Sequence, residues 1–596
     1  MSTGNDHESI IANLTDKARS RLAIIFVVVI IILSSLPVLL SYTPYHPGHD
    51  TVFHLYRIDG IAKGLAEGQF PVMMQSSQIA GYGYPVSICY GDLFLYFPAL
   101  LRLLGFSMHA AYALFIMAIN GLCAITTYIT FKRMFGKRGI GILACALWTL
   151  SPYRLAIDTY LRSAVGEFIS LSMFPAVLYG IYSMIWYRSP NASKNGWIWC
   201  AAGVCGVVYS HILSVLMGVI TFLPMLAFEL VKKRDPIILR NVILAVVATL
   251  GLSLAFAIPF LDFYSGMEMK VNTQDPSFKQ ALASANALQP AQLFELFPEV
   301  SNGSVAGKTI DEMPYGIGWS LLSAIPLWGT VMAMKSTHRH RSDNAYLLGS
   351  FVLLQIAVLM WMTTVYFPWG FDSNPIGQTF ISLLATIQFP WRLVGPISFM
   401  LLLLMCLGLN RIQCSPLRRA TSSIIICIIG LSLIECGFGV TSFLRHSQAV
   451  DEHYVNHDAH GVMGGEYLPK DFDVATTTRQ DDEAIVSTPG IAAIPKDGNT
   501  VTSYSIHVEN KGRAGSLVIP LIKYPHYHAK TESGDELAID ASDDGLIQIA
   551  IPERYAGTIN IAFTPPFSWR AAQVSSLLAA TGLACCLLFG KMRNES

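Results

Sequence analysis

Titratable side chains crowd the stretch His49-Asp50-Thr51-Val52-Phe53-His54-Leu55-Tyr56-Arg57, which follows an apolar run long enough to cross a membrane. A carboxylate at Asp50 can take a proton from an acceptor hydroxyl, orient a bound metal, or cap the helix that begins at Thr51. On such a helix His54 and Arg57 fall near the carboxylate's side, where with His49 they offer cationic groups to a phosphate leaving group. The cluster points to acid–base chemistry beside a phosphate at a membrane boundary.

Two further groups of polar residues border apolar runs. Arg154, Arg162 and Glu167 lie within Ser151-Pro152-Tyr153-Arg154 and Leu161-Arg162-Ser163-Ala164-Val165-Gly166-Glu167. An unpaired charge there is costly, so these groups either pair with one another or face a polar cavity. Gln388-Phe389-Pro390-Trp391-Arg392 puts a guanidinium and an indole at the end of another apolar run. Its plainer reading is a belt tryptophan with a snorkelling arginine. His211, near a turn between two runs, reads as a hydrogen-bonded core histidine. His453, His457 and His460 are spaced for one helical face beside Asp451 and Asp458, and His526 and His528 for one face of a strand. Neither group matches a ligand-spacing pattern, so no metal ligands are assigned to them.

The elements that must position these groups are mostly membrane spans. The 596 residues are 53% hydrophobic and 13% charged, with a formal net charge of zero, and mean hydropathy is +0.46. That composition lies outside the soluble range and gives no electrostatic reason to expect nucleic acid as a partner. Arg21 to Tyr42 is the first span, retained as a signal anchor because no small-residue cleavage site precedes it. Apolar runs at 109–131, 139–152, 166–187, 197–211, 213–231, 240–262, 314–334, 345–366, 391–410, 420–443 and 571–590 bring the expectation to about twelve.

Short basic loops at Lys132-Arg133, Lys232-Lys233-Arg234, Lys335 with Arg339 and Arg341, Arg411 with Arg418-Arg419, and the tail Lys591 and Arg593 all fall on the N-terminal side if the count is even. Both termini are then cytoplasmic, and the long connections at 42–108, 263–313, 367–390 and 444–570 lie outside a plasma membrane. Val86 to Gly105 carries Asp92, Pro98 and Arg102, so it reads as an interfacial helix rather than a span. Nearly all the cysteines fall in spans, and Cys89 alone is expected outside, so no disulfide is expected there. Residues 471–568 alternate at period two, as in Tyr504-Ser505-Ile506-His507-Val508-Glu509, between glycine-punctuated turns. The domain map is therefore 1–21 cytoplasmic, 22–443 transmembrane, 444–570 an outer β domain, and 571–596 a final span with its tail.

In chain order the His-Asp loop, the element Tyr96-Phe97-Pro98-Ala99-Leu100-Leu101-Arg102-Leu103-Leu104-Gly105, and then Ser-Pro-Tyr-Arg (151–154), Tyr-Leu-Arg-Ser-Ala-Val-Gly-Glu (160–167), Ile-Gln-Phe-Pro-Trp-Arg-Leu-Val-Gly-Pro (387–396) and Gly-Gly-Glu-Tyr-Leu-Pro (464–469) resemble the bacterial YfhO-type membrane proteins. They equally resemble the family labelled 6-pyruvoyl-tetrahydropterin-synthase-related, and both families are similar to GT-C glycosyltransferases. The likeness covers most of the chain, including the β domain and the last span. It implies a polytopic α-helical membrane protein, GT-C-like, with a small extracytoplasmic β-sandwich-like domain. It implies transfer of a hexosyl or pentosyl unit, with inversion, from a polyprenyl-phosphate donor to a cell-envelope glycan, lipid or protein. Asp50 matches the acidic position that acts at the acceptor; Glu167, Arg162 and Arg392 match positions near donor phosphate or acceptor. The first outer loop has no Asp-X-Asp pair, which leaves a divalent cation, Mg or Mn, open.

A transporter or lipid-linked sugar flippase is the competing class, since about twelve spans with both ends inside suit it. The ionisable clusters sit on outer loops rather than at midplane, and no half-to-half symmetry is visible, which weighs against it. A third class is a non-catalytic scaffold that uses the β domain for partners.

Overall fold

The computed structural model describes residues 3–40, 48–273, 275–297, 304–305, 308–309, 313–337, 343–370, 374–412, 420–446, 465–472 and 485–595. His453, His457 and His460 lie outside them. Ten helices among the described residues are long and apolar enough to cross a membrane: Lys17–Leu40, Met108–Phe135, Arg138–Leu161, Val165–Ile185, Ile212–Lys233, Pro236–Gly266, Asn344–Thr363, Pro390–Ile412, Thr421–Arg445 and Phe567–Leu587. The run Val27–Ile32 is wholly β-branched and poor helix material in water, yet it is helical here. In hydrocarbon every backbone N–H and C=O must be satisfied within its own segment, and that requirement outweighs propensity.

The remaining two expected spans form shorter helices, Gly196–Val208 and Trp319–Met334. The first has 13 residues, about 20 Å at 1.5 Å per residue, against a hydrocarbon core of about 30 Å. The second starts late because Gly318 adopts φ +96° and the Glu435 carboxylate accepts the N–H groups of Trp319 and Ser320 at 2.5 and 3.1 Å. Val86–Gly105 is not a span: it breaks into Val86–Cys89, a turn at Leu93–Leu95 and the helix Tyr96–Leu103, with Pro98 and Ala99 buried and Leu100 and Leu103 exposed.

The chain divides into two compact units. The first comprises Met1–His49, Ala113–Thr249 and Pro276–Ala449. Within it, helix Val165–Ile185 is buried along nearly its whole length and packs tightly on Gly196–Val208. Small residues permit the approach: a Cβ on Gly180 would sit 2.3 Å from the Cys200 backbone nitrogen, and one on Gly203 2.9 Å from that of Val177. This unit also carries a two-residue hairpin, β1 (Ser304–Val305) with β2 (Lys308–Thr309).

The second unit comprises Asp50–Tyr112, Leu250–Asp275 and Val450–Ser596. Strands β3 (Val486–Ser487), β4 (Ile491–Pro495), β5 (Ser503–Asn510), β6 (Gly515–Ile522), β7 (Tyr527–Thr531), β8 (Glu536–Leu537), β9 (Ile539–Ala541), β10 (Leu546–Ile551) and β11 (Ala556–Phe563) form two antiparallel sheets. Their orders are β3-β6-β10-β9 and β4-β5-β11-β7-β8. Tyr504, Ile506 and Val508 turn inward while the residues between them do not, the period-two pattern of a half-buried strand. The core is not made by the sheets alone. Met73, Met74, Tyr82, Tyr84 and Cys89 join it, as do Phe263 and Met269.

Two sets of polar contacts join this unit's helices and strands. Asp262 Oδ2 accepts from Trp569 Nε1 at 2.9 Å and pairs with His526 Nε2 at 2.8 Å. Ser576 Oγ accepts from Ala255 N and donates to Gly251 O, both at 2.9 Å, so a hydroxyl stands in the backbone ladder of the facing helix. His526 precedes β7 and turns to Asp262, whereas His528 lies within β7 and meets Glu536 at 2.8 Å. The two rings take different partners.

The glycine contact gives a direct test. Gly180→Ala should destabilise the detergent-solubilised protein by about 1–3 kcal/mol through overpacking, seen as a lower thermal midpoint. Gly218→Ala, where a Cβ meets nothing within 4 Å, should leave the midpoint unchanged or raise it.

Candidate functional site

In the first unit, three span ends bring their polar residues to one place. Arg162 follows the last residue of one span, Glu167 lies in the first turn of the next, and Arg392 in the first turn of a third. The segment Tyr153–Leu161 is wound as a π-helix, a form concentrated at functional positions, and Arg162 N closes it on Ile157 O at 2.7 Å. Ser163 then takes φ +52°, which turns the chain so that Val165 can begin the next helix.

Glu167 is the centre of the cluster and is 1% exposed. Its Oε1 accepts from the Tyr153 hydroxyl at 2.7 Å; Oε2 meets Arg162 Nη1 at 2.9 Å and Arg392 Nε at 3.3 Å. Arg162 Nη1 also reaches Asp158 Oδ1 at 2.7 Å. Arg392 Nη1 donates to Ile387 O at 2.9 Å and to Gln388 Oε1 at 3.2 Å, and Gln388 holds φ +65°. The Trp391 ring lies 4.6 Å from the Arg162 guanidinium carbon and stacks with Phe389. His211 bonds Ser214 Oγ at 2.8 Å, the core arrangement expected of it, and is within electrostatic reach of Glu167.

Arg154 is buried apart from this hydrogen-bonded group. Its guanidinium donates to Asn120 Oδ1, Thr149 O and Ser172 Oγ at 2.9 to 3.3 Å, all neutral acceptors. Asn120 in turn donates to Ser34 O, so Arg154 ties together helices distant in the chain. Asp158 is a residue that reading the sequence passes over. It is fully buried, and its Oδ2 has no hydrogen-bond partner among the described residues. The i, i+4 spacing to Arg162 is the signal that could have found it. Glu435 is a second, a buried carboxylate inside an apolar helix; with Phe297 and Phe438 it lines a cleft to which Ala156 and Ile157 of the π-helical segment also contribute.

Gly48 and His49 also belong to this unit. His49 N donates to Leu161 O at 2.9 Å, and a Cβ on Gly48 would stand 2.2 Å from Tyr160 O, so only glycine lets the backbone lie against the π-helical segment. The His49 ring is exposed.

In the second unit Asp50 precedes the helix Thr51–Ala66 without a side-chain capping bond. His54 and Arg57 are buried in that unit's interior. Arg57 pairs with Asp92, donates to Gly91 O at 2.9 Å, contacts His54 Nδ1 at 3.3 Å, and lies over the Tyr90 ring at 4.1 Å. The structure thus gathers Arg162, Glu167, Gln388, Trp391 and Arg392 with Asp158, and separately gathers His54 and Arg57 with Asp92. No three His, Cys, Asp or Glu residues among the described ones come together as a metal would require.

No family model matches the chain. Over 229 residues it is 25% identical to an uncharacterized protein of Lactococcus lactis subsp. cremoris (strain MG1363), a match covering 37% of this chain and 36% of that protein. Among solved structures it is similar to the arabinofuranosyltransferase AftD from Mycobacteria, determined by single-particle cryo-EM, with TM-score 0.42 and 15% identity over 70% of this chain and 27% of AftD. The chain therefore spans about a third of the first protein's length and about a quarter of the second's.

The buried ion pairs predict a specific stability pattern. Arg162→Gln leaves two buried carboxylates short of a partner and should cost about 3–5 kcal/mol. Asp158→Asn combined with Arg162→Gln should cost clearly less than the two single changes added together. Thermal midpoints of the three variants in one detergent measure this coupling.

Proposed function

We propose that this chain is a GT-C-type membrane glycosyltransferase of the YfhO-like group, transferring a sugar from a polyprenyl phosphate to an extracytoplasmic acceptor with inversion at the anomeric carbon. The observation that carries the reading is the convergence of Arg162 and Arg392, beside the Trp391 ring, on Glu167 in the first unit. Asp158 and Glu167 hold these guanidiniums, while Arg154 stands apart on neutral acceptors. Two guanidiniums brought together at the ends of three spans suit an anion whose tail lies in the bilayer and whose phosphate lies at headgroup depth.

In this reading Asp158 and Glu167 hold the guanidiniums in position before the donor arrives, so little reorganisation accompanies the reaction. The acceptor oxygen forms its bond to the anomeric carbon as the bond from that carbon to the phosphate oxygen breaks. The electron pair leaves on the polyprenyl phosphate, where Arg162 and Arg392 stabilise the growing charge. The acceptor proton passes to a carboxylate base, the role that the family resemblance gives to Asp50. The β domain serves acceptor selection, as its described residues carry alternating strands and, beyond surface pairs, no acid–base group in contact with another. The transporter reading is less well supported, since Arg162, Glu167 and Arg392 lie at span ends rather than at midplane.

The test is sugar transfer by purified protein in liposomes containing a polyprenyl-phosphate sugar. Asp50→Asn should lower the rate about 10²–10⁴-fold with donor binding retained. Near-normal transfer would reject Asp50 as the base. For sidedness, a cysteine introduced at the exposed Ser533 should react with an impermeant reagent in intact cells. Labelling only after membrane disruption would reverse the topology.

A further inference from the structure

Between the spans Asn344–Thr363 and Pro390–Ile412 the first unit carries a further helix, Pro375–Ala385, to which no role has been given. Its start is fixed locally: Pro375 stands in the first turn, and Asn374 Oδ1 accepts from Gly377 N at 2.7 Å. Ile381, Leu384 and Ala385 are buried on its inner side, as packing against the protein requires. The outer side is apolar too. Ile376, Phe380 and Leu383, spaced i, i+4 and i+7 along one stripe, are 84%, 58% and 57% exposed, and the helix has no charged residue. Three large apolar side chains side by side on an uncharged helix mark a surface that something covers.

The place of the helix says what covers it. Consecutive spans are joined by 364–389, so Thr363 and Pro390 lie on one side of the membrane, and the chain from Ala385 to Pro390 reaches at most about 18 Å. The helix Pro276–Ala285 packs against Pro375–Ala385, with Gln280 Nε2 donating to Ser382 Oγ at 2.9 Å. Just beyond that helix, Leu288 N donates to Thr363 O at 2.8 Å and Leu288 O accepts from Val365 N at 3.0 Å, which pins the pair of helices to the end of the span. At the same end Trp361 and Tyr366 are both exposed, and the indole N–H donates to Tyr366 O at 3.2 Å. Exposed aromatics at the end of an apolar span mark the boundary between acyl chains and headgroups. Leu354, Val358 and Trp361 form an exposed stripe with the same i, i+4, i+7 spacing, the face that the span turns to lipid.

We propose that Pro375–Ala385 is an interfacial helix whose Ile376, Phe380 and Leu383 are seated among bilayer acyl chains, and that this seat sets the depth of Arg392. With 3.6 residues per turn, the exposed Gln378 lies on the other side of the helix from Phe380 and stays at headgroup level. Because the helix is uncharged, acyl contact alone holds it, and zwitterionic lipid suffices. Just past its end, Ile387 O and Gln388 Oε1 accept from Arg392 Nη1 at 2.9 and 3.2 Å, so the height of the helix is passed on to the guanidinium. The consequence for Arg392 rests on the glycosyl-transfer reading; the lipid seat does not.

A fluorescent amino acid in place of Phe380, in the full-length protein in phosphatidylcholine vesicles, reads the contact directly. Lipids brominated near the top of the acyl chain should quench it strongly and aqueous iodide weakly, and the same probe in place of Gln378 should show the reverse order. Quenching at 380 by iodide rather than by brominated lipid places the stripe in water and overturns the seat. Quenching by neither means that protein covers the stripe, a second copy included, and overturns it equally. For the consequence, Phe380→Asp should raise KM for the polyprenyl-phosphate sugar several-fold with kcat little changed, and Phe380→Leu should keep KM near that of the unmodified protein. If the Asp protein does not fold, Phe380→Ser should give the same rise. An unchanged KM in the polar variants, with lipid contact present at 380, overturns the link to Arg392. Absence of transfer by the unmodified protein removes the glycosyl-transfer reading and that link with it, while the quenching still decides the seat.

Discussion

An ionised carboxylate held between two guanidiniums at the ends of apolar helices is the constraint on which the first unit depends. Glu167 cannot be taken from water into that environment without Arg162, Arg392 and the Tyr153 hydroxyl, because an unpaired ion there costs several kcal/mol. Meeting that requirement dictates local backbone that nothing else explains. The π-helical winding of Tyr153–Leu161, the positive φ of Ser163 and of Gln388, and the flat approach of Gly48 all occur around these groups. Residues in such conformations cost of order 1–3 kcal/mol each and persist where their surroundings over-determine them.

The second unit follows a different logic. Its two sheets bury an apolar core of ordinary kind, but the loop from Met73 to Cys89 and the segment around Phe263 complete it. Asp262 between His526 and Trp569, and Ser576 within the ladder of a facing helix, fasten helices by polar contacts that a purely apolar interface lacks. Arg57 is part of this interior. Its guanidinium is occupied by Asp92, by backbone carbonyls and by the Tyr90 face, which fixes the helix after Asp50.

Much of the architecture is legible in the sequence because lipid imposes a simple rule: long apolar runs must be helices. The rule says less about length, and so Gly196–Val208 and Trp319–Met334 are shorter than the expected runs 197–211 and 314–334. The second is cut back by a carboxylate 116 residues away, which no local pattern reveals. Period-two alternation identified the strands, since each sheet has one buried face. Of the candidate site, Arg162, Glu167 and Arg392 were visible as charges bordering apolar runs, and their mutual pairing is the outcome such charges demand. Asp158 escaped notice because it sits inside an apolar stretch rather than at its edge. For Arg57, residue type suggests a phosphate ligand, but the partner that occupies it, Asp92, belongs to a segment that reads from sequence as membrane-associated. His526 and His528 follow the strand rule in spacing, yet they take different partners: His526, just before β7 with φ +69°, turns to Asp262, and His528 to Glu536.

The central claim is that the Arg162 and Arg392 guanidiniums of the first unit receive the phosphate of a lipid-linked sugar. The most direct measurement is a cryo-EM structure of the protein in nanodiscs with a non-hydrolysable polyprenyl-phosphonate sugar. The account predicts phosphonate density within hydrogen-bonding distance of the Arg162 and Arg392 guanidiniums, beside the Trp391 ring. A well-occupied ligand whose phosphonate lies elsewhere, with the Arg162–Glu167–Arg392 contacts unchanged, would contradict it.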